Sequence, residues 1–276
     1  MNATGPAAAA APFRPPSPVA IALVFWVFFF FSVPCLAEDW REIKGDHFII
    51  FYKTDEAFAK QVVYKAEFYY TQIASDLGYA RYSNFWQWEN RVKIYVYDKE
   101  ADFVAVTGQP GWSEGMANYK AKEIHIFNRG EGFLDGLLPH EITHLVFRDF
   151  VGTEGEIPLW MDEGVAQWEE PAKRAISKKI ARYLVATVKD FHTQDLMTTD
   201  VRKLHDDEKV HYFYMQSVSL VDYLIKTYGP AAFTEFCRGL RDGKKFEDAL
   251  KAAFPGKMET INDLDTRWRE YASQEE

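Results

Sequence analysis

The segment His140-Glu141-Ile142-Thr143-His144 constrains this chain more than any other feature of its sequence. Residues four apart lie on nearly the same face of an α-helix, so His140 and His144 can direct two imidazole nitrogens at one tetrahedral cation. Glu141 lies about a quarter turn around the helix from the first histidine, and its carboxylate can reach the open side of a bound metal. The spacing therefore predicts a helix that carries two metal ligands and a general base.

A third ligand has to come from another part of the chain, because a catalytic zinc ion usually has three protein ligands and a water molecule. Glu163 is the candidate, and eighteen residues separate it from His144. With 7 histidines in the chain, a His-Glu-x-x-His pattern alone arises by chance in roughly one such chain per hundred. The alternative is a helix whose histidines only cap it or face solvent, and this alternative must also treat the segment around Glu163 as a coincidence.

These residues resemble a known arrangement of zinc peptidases. His140, His144 and Glu163 are similar to the gluzincin pattern HExxH-x18-E, and Leu159 to Ala166 resembles the LWLNEGFA-type segment of aminopeptidase N relatives. The chain resembles the single-domain bacterial peptidase MA-like group more closely, from about residue 45 to the C-terminus. The resemblance implies an α+β, zincin-like fold with a small mixed N-terminal sheet, a mostly helical C-terminal lobe and a bound zinc ion.

The same resemblance implies a mechanism of peptide hydrolysis. Zinc would polarise the scissile carbonyl and lower the pKa of its bound water, and Glu141 would accept the proton of that water. In related gluzincins a tyrosine or histidine of the following helical lobe stabilises the oxyanion. Tyr214 is the candidate, because it begins a Tyr-x-x-Ser segment of the kind found in this family, and Tyr212 and His211 are the alternatives.

One departure from the aminopeptidase N pattern bears on the substrate. Those enzymes carry a GxMEN segment whose glutamate binds the free N-terminus of the substrate. The nearest match here is Gly115-Met116-Ala117-Asn118, in which Ala117 stands at the position of that glutamate. We therefore expect an endopeptidase, or a peptidase with one or few protein substrates, whose strand at Gly115 to Tyr119 holds an extended substrate as the resemblance implies.

Two polar residues near the ligands are candidates for orienting the zinc histidines. Metal-bound imidazoles usually donate their other N–H to a carboxylate or a carbonyl, and Asp162 and Thr143 lie close to the ligands in sequence. Solvation at the surface is the expected environment of Asp162.

The first 37 residues differ in kind from the rest. They contain no Asp or Glu and one Arg, and the apolar run 19–33 is followed by Pro34-Cys35-Leu36-Ala37. This pattern is typical of a signal peptide cleaved after Ala37. Retention as a membrane anchor and lipidation at Cys35 are the alternatives. We expect an exported protein, periplasmic or secreted, that meets the membrane only if this segment is kept.

Residues 38–276 then form the expected peptidase domain. Asp and Glu exceed Lys and Arg by 41 to 32 over the whole chain, so nucleic acid is not an expected partner, and a peptide or protein substrate is. Cys237 would be the one cysteine left after cleavage, which excludes an intramolecular disulfide.

Hydrophobic periodicity predicts the elements of this domain. Residues 47–52, 91–97, 118–119 and 123–127 have the pattern of strands, and residues 56–77 have that of an amphipathic helix. Pro139 predicts that the motif helix starts near Leu138 or bends there. A sheet-containing lobe at 38–152 and a helical lobe at 153–276 are expected, with further helices at 171–190, 209–227, 231–240, 244–253 and 258–272.

Two other functions remain open at this point. The first is a catalytically degenerate gluzincin that keeps zinc for structure and acts as a binding or assembly factor in the cell envelope. The second is an exported structural domain in which the motif is accidental. The presence of His140, Glu141, His144 and Glu163 together favours the peptidase.

Overall fold

A five-stranded mixed sheet forms the N-terminal part of the fold, with strand order β1-β2-β3-β5-β4. The central strands β2, β3 and β5 are parallel, and the edge strands β1 and β4 are antiparallel to their neighbours. The computed structural model describes residues 40–78, 86–110, 113–152 and 157–274. The strands are β1 (Arg41–Lys44), β2 (Phe48–Tyr52), β3 (Val92–Tyr97), β4 (Gly115–Asn118) and β5 (Glu123–Phe127).

Helices make up most of the remaining described residues. They are α1 (Glu56–Asp76), α2 (Glu100–Thr107), α3 (Glu131–Val151), α4 (Leu159–Trp168), α5 (Pro171–Thr187), α6 (Thr193–Leu196), α7 (Asp207–Tyr228), α8 (Pro230–Arg241), α9 (Phe246–Ala253) and α10 (Ile261–Ser273). This architecture confirms the predicted fold class, a small mixed sheet followed by a mostly helical part.

Strand β2 shows why the sheet could be predicted from sequence. Phe48, Ile50 and Tyr52 are buried, while the residues between them are only half-buried, so the alternation of the sequence matches the two faces of the strand. Helix α1 packs against β2, helix α3 packs against β4, and α1 and α3 contact each other. Asp55 caps α1 by accepting a hydrogen bond from the backbone N–H of Phe58.

Several local predictions differ from the structure. Helix α3 begins at Glu131 and Pro139 lies inside it, which excludes the first of the two predicted alternatives, a helix start near Leu138. Strand β4 ends at Asn118, and Tyr119 belongs to the turn that follows it. The sequence pattern missed β1, α2 and α6, which are short elements with little periodicity of their own.

The N-terminal predictions fall outside the part of the chain that the structure describes. The signal peptide at 1–37 therefore stays a prediction. The division into lobes at 38–152 and 153–276 also stays a prediction. Across the described residues, none of the helices is both long enough and apolar enough to span a membrane. Cys237 is buried in α8.

The helical part is organised around the contact between α4 and α7. A Cβ atom added at Gly164 of α4 would lie 2.5 Å from the carbonyl oxygen of Ser217 and 2.9 Å from Cγ2 of Val221. The two helix backbones therefore touch at this point, and no side chain larger than hydrogen fits between them. Gly164 follows Glu163 directly, so this contact also fixes where Glu163 lies.

The replacement Gly164→Ala is expected to destabilise the protein by about 1–3 kcal/mol, because the added methyl group forces α4 away from α7. Denaturant unfolding monitored by circular dichroism measures the change. Gly132→Ala is the matched control, since Gly132 is a helical glycine in α3 whose added Cβ meets no atom within 4 Å. An equal loss of stability in both variants would contradict the close contact.

Candidate metal centre

Helices α3 and α4 bring three potential metal ligands to one point. His140 and His144 project from α3, and their Nε2 atoms lie 3.2 Å apart. Oε2 of Glu163, on α4, lies 3.7 Å from Nε2 of His140 and 3.8 Å from Nε2 of His144. Two nitrogen ligands of a tetrahedral zinc ion at about 2.0–2.1 Å lie about 3.3 Å apart, so the three atoms have the spacing of a zinc ligand set.

Each histidine has a carboxylate beside its other ring nitrogen. Nδ1 of His140 lies 2.9 Å from Oε1 of Glu170, and Nδ1 of His144 lies 3.4 Å from Oδ1 of Asp162. With the proton of each ring on Nδ1, both Nε2 lone pairs would be directed at the common point. The tautomers are those that metal-bound histidines require.

The expectation that Asp162 is solvated at the surface is wrong. Its carboxylate is buried, and Oδ2 accepts hydrogen bonds from Nε and Nη2 of Arg148 at 3.2 and 2.9 Å. Burial opposes ionisation, but His144 and Arg148 outweigh it and lower the pKa of Asp162 to about 2. Oδ1 is buried without a hydrogen-bond partner, and His144 Nδ1–H is the donor that would satisfy it if the ring moved slightly toward it.

Thr143 does not orient either histidine in this structure. Its hydroxyl donates to the carbonyl oxygen of Pro139, one turn earlier in α3, at 2.5 Å.

Glu170, in contrast, was not predicted from the sequence as a partner of the histidines. It lies seven residues after Glu163, about two helical turns, but α4 ends at Trp168, so helical spacing alone does not lead to it.

The charges around the ligands favour a divalent cation. Four carboxylates surround the centre, those of Glu141, Asp162, Glu163 and Glu170, and two cations, Arg148 and Lys173, pair with Asp162 and Glu170. Burial lowers the pKa of His144, but the carboxylates of Asp162 and Glu163 outweigh this and raise it to about 10. The site thus stabilises positive charge at the point where the ligand atoms converge, and its donor set of two imidazoles and a carboxylate fits zinc.

Glu141 lies between the ligands and the edge strand β4. An added Cβ at Gly115 would lie 3.0 Å from Oε1 of Glu141, so the strand backbone packs directly on this side chain. Burial raises the pKa of Glu141, while His140 and His144 and a hydrogen bond from the backbone N–H of Ala117 oppose the shift. A buried carboxylate with a raised pKa beside a metal site is suited to accept a proton near neutral pH.

A comparison with known protein families agrees with this geometry. The family model of the Peptidase MA superfamily matches residues 83–274, which is more than half of the chain and includes β4, α3 and α4. The chain belongs to the Peptidase MA superfamily. No curated protein matches it. Membership in this superfamily supports peptidase activity in general and a metal-dependent mechanism, which is typical of its members.

In this Peptidase MA protein, the three candidates for oxyanion stabilisation have different surroundings. Tyr214 is half-buried on α7, and burial together with the nearby carboxylate of Glu163 raises the pKa of its phenol. The hydroxyl of Tyr212 lies 2.5 Å from Nζ of Lys189, and His211 is exposed. Of these side chains, Tyr214 is the one whose charge interaction involves a metal-ligand candidate.

The corner between α4 and α5 belongs to the same centre because it carries Glu170. Arg174 holds this corner, with hydrogen bonds to the carbonyl of Trp168 at 2.7 Å and to the carboxylates of Glu169 and Asp76 at 2.6 and 2.9 Å. Its guanidinium carbon lies 3.8 Å from the ring centroid of Trp168. Glu169 is fully buried, and burial raises its pKa from 4.5 to about 8 despite the contact with Arg174.

This shift predicts a pH dependence of stability. Between pH 4.5 and about 8 the folded protein keeps a proton on Glu169 that the unfolded chain has released, so folding stability falls as pH rises through this range. Glu169→Gln mimics the protonated side chain and should remove this contribution. The free energy of unfolding of the wild type minus that of the variant should decrease with rising pH, measured by urea titrations at several pH values. A constant or increasing difference would contradict the shift.

Proposed function

We propose that this protein is a zinc-dependent peptidase of the gluzincin type. The observation that carries the proposal is the convergence of His140 Nε2, His144 Nε2 and Glu163 Oε2 at mutual distances of 3.2–3.8 Å. When bound there, zinc would act as a Lewis acid on the scissile carbonyl and would acidify a coordinated water. Side chains of the protein would supply the general base and the hydrogen-bond donor.

Glu141 is the proposed general base. Its carboxylate is 6% exposed and borders both the ligand pair and β4, so it lies where an attacking water and an extended substrate would meet. After accepting the proton of the water, it would return a proton to the leaving amine. The partial exposure of the three ligands, 16–20% of each side chain, is consistent with a centre that keeps one side open.

Tyr214 is the proposed donor to the oxyanion of the tetrahedral intermediate. Its raised pKa keeps the phenol protonated and able to donate a hydrogen bond. The contact of Gly164 with Ser217 supports this role, because Tyr214 lies three residues before Ser217 and Glu163 directly before Gly164. The close contact between α4 and α7 therefore supports a common site for the proposed ligand and the proposed donor.

Strand β4 is the proposed binding site for the substrate backbone, because it lies at the edge of the sheet beside Glu141. Ala117 offers no carboxylate to bind a free substrate N-terminus, which favours an endopeptidase acting on protein substrates.

The signal-like segment at 1–37 supports a periplasmic or secreted location, with exported proteins as substrates.

Replacing Glu141 and replacing Glu163 should have different effects. Glu141→Gln is expected to abolish hydrolysis while zinc stays bound, because Glu141 is a base and not a ligand. Loss of a residue that hydrogen-bonds a metal ligand weakens metal binding about 10- to 100-fold. Glu163→Ala removes a proposed ligand itself, so it should weaken zinc binding by more than this. Zinc content by atomic emission, zinc affinity by chelator competition and cleavage of labelled casein measure these effects. A purified wild-type protein that binds no zinc would refute the proposal.

Tyr214→Phe is expected to lower kcat by about 10²- to 10³-fold, because one donor to the oxyanion is lost. Zinc affinity should stay unchanged, since Tyr214 is not a ligand. Tyr212→Phe is the matched control, because the hydroxyl of Tyr212 already contacts Lys189. Steady-state kinetics on a peptide identified from casein cleavage measure both variants, and a larger loss in Tyr212→Phe would assign the role to Tyr212.

A further inference from the structure

Glu170 differs in its origin from the other groups around the ligands. His140 and His144 belong to α3, and Asp162 and Glu163 belong to α4, but Glu170 lies between the last residue of α4 and the first residue of α5. Helical geometry therefore does not fix its position. The position depends on the corner between the two helices.

Two hydrogen bonds hold the Glu170 side chain beside His140. Oε1 accepts hydrogen bonds from Nδ1–H of His140 at 2.9 Å and from Nζ of Lys173 at 2.7 Å. The other carboxylate oxygen faces α3, where a Cβ added at Gly136 would lie 3.8 Å from it. The carboxylate is 12% exposed, so it is held largely out of solvent against the helix that carries the histidines.

The corner behind Glu170 is rigid for a separate reason. Arg174 joins the end of α4, through the carbonyl of Trp168 and the carboxylate of Glu169, to Asp76 at the end of α1. A planar guanidinium that makes three hydrogen bonds and stacks on Trp168 leaves the corner little freedom to rotate. The backbone of Glu170 is thereby anchored to an element outside the metal centre.

We propose that Glu170 is a positioning residue for the metal ligand His140, and that Arg174 acts on the metal centre through Glu170. This inference rests on the proposed zinc site. The carboxylate fixes the Nδ1–H tautomer of His140 and the rotation of its ring, so that Nε2 is already directed at the metal before binding. It also makes the imidazole a stronger electron donor, because the donated proton shares the negative charge of the carboxylate.

The test is a series of zinc affinities measured by chelator competition, with no need for a substrate. Glu170→Ala should weaken zinc binding about 10- to 100-fold. Glu170→Gln should keep most of the affinity, because its amide oxygen can still accept the hydrogen bond from Nδ1–H. Glu235→Gln is the matched control, since Glu235 pairs with Arg238 three residues away on α8, as Glu170 pairs with Lys173, but lies exposed. Its zinc affinity should equal that of the wild type.

A double-mutant cycle tests the role of Arg174. Arg174→Lys keeps the positive charge but loses the fork that spans three acceptors, and it should weaken zinc binding in the wild-type background. In the Glu170→Ala background the same change should have no further effect on zinc affinity, because its route to the metal is already absent. A merely structural role of Arg174 would lower affinity equally in both backgrounds and would overturn this part of the proposal.

The outcomes separate this inference from the proposed function. If the wild type binds no zinc, the zinc peptidase itself is refuted. If the wild type binds zinc and His140→Ala does not, but Glu170→Ala binds as tightly as the wild type, the peptidase stands and the positioning role is overturned. If Glu170→Ala does not fold, Glu170→Ser replaces it, because the short hydroxyl side chain also removes the acceptor from His140, and a zinc affinity equal to that of the wild type would overturn the positioning role.

Discussion

The close approach of α4 to α7 at Gly164 is the constraint on which the metal centre depends. Helix α4 contributes Glu163, the candidate third ligand, and its backbone touches that of α7 at Ser217, at a contact that admits no side chain. Helix α4 also packs against α3, which carries both histidines. Small errors in the α4 position would separate the ligand atoms, which lie within 4 Å of one another here.

The charges of this candidate centre and the burial of its side chains both favour a bound cation. Burying several carboxylates together is costly unless cations neutralise them, and Arg148 and Lys173 neutralise two of them. The remaining negative charge lies around the point where the ligand atoms converge, which favours a divalent cation. The same burial raises the pKa of Glu141, so the arrangement that attracts a metal also prepares a base beside it.

The sequence predicted much of the fold because the relevant signals are local. The alternation in β2 and the spacing of apolar residues in α1 and α7 appear directly in the chain. Short elements such as β1 and α2 were missed, since tertiary contacts rather than their own pattern define them. Pro139 left two alternatives open, a helix start near Leu138 or a bend there, because proline is accepted in a first turn and also, at the loss of one backbone hydrogen bond, inside a helix such as α3.

The sequence by itself determined the spacing of the candidate ligands and indicated the candidate base, because residues four apart share a helix face whatever surrounds the helix. It also indicated Glu163, through the segment that contains it. Only the tertiary structure decided that Asp162 is buried against Arg148 and that Glu170 contacts His140. These relations depend on the angles between α3, α4 and α7 and on a corner clamped by Arg174, and such angles are set by long-range packing that no local pattern encodes.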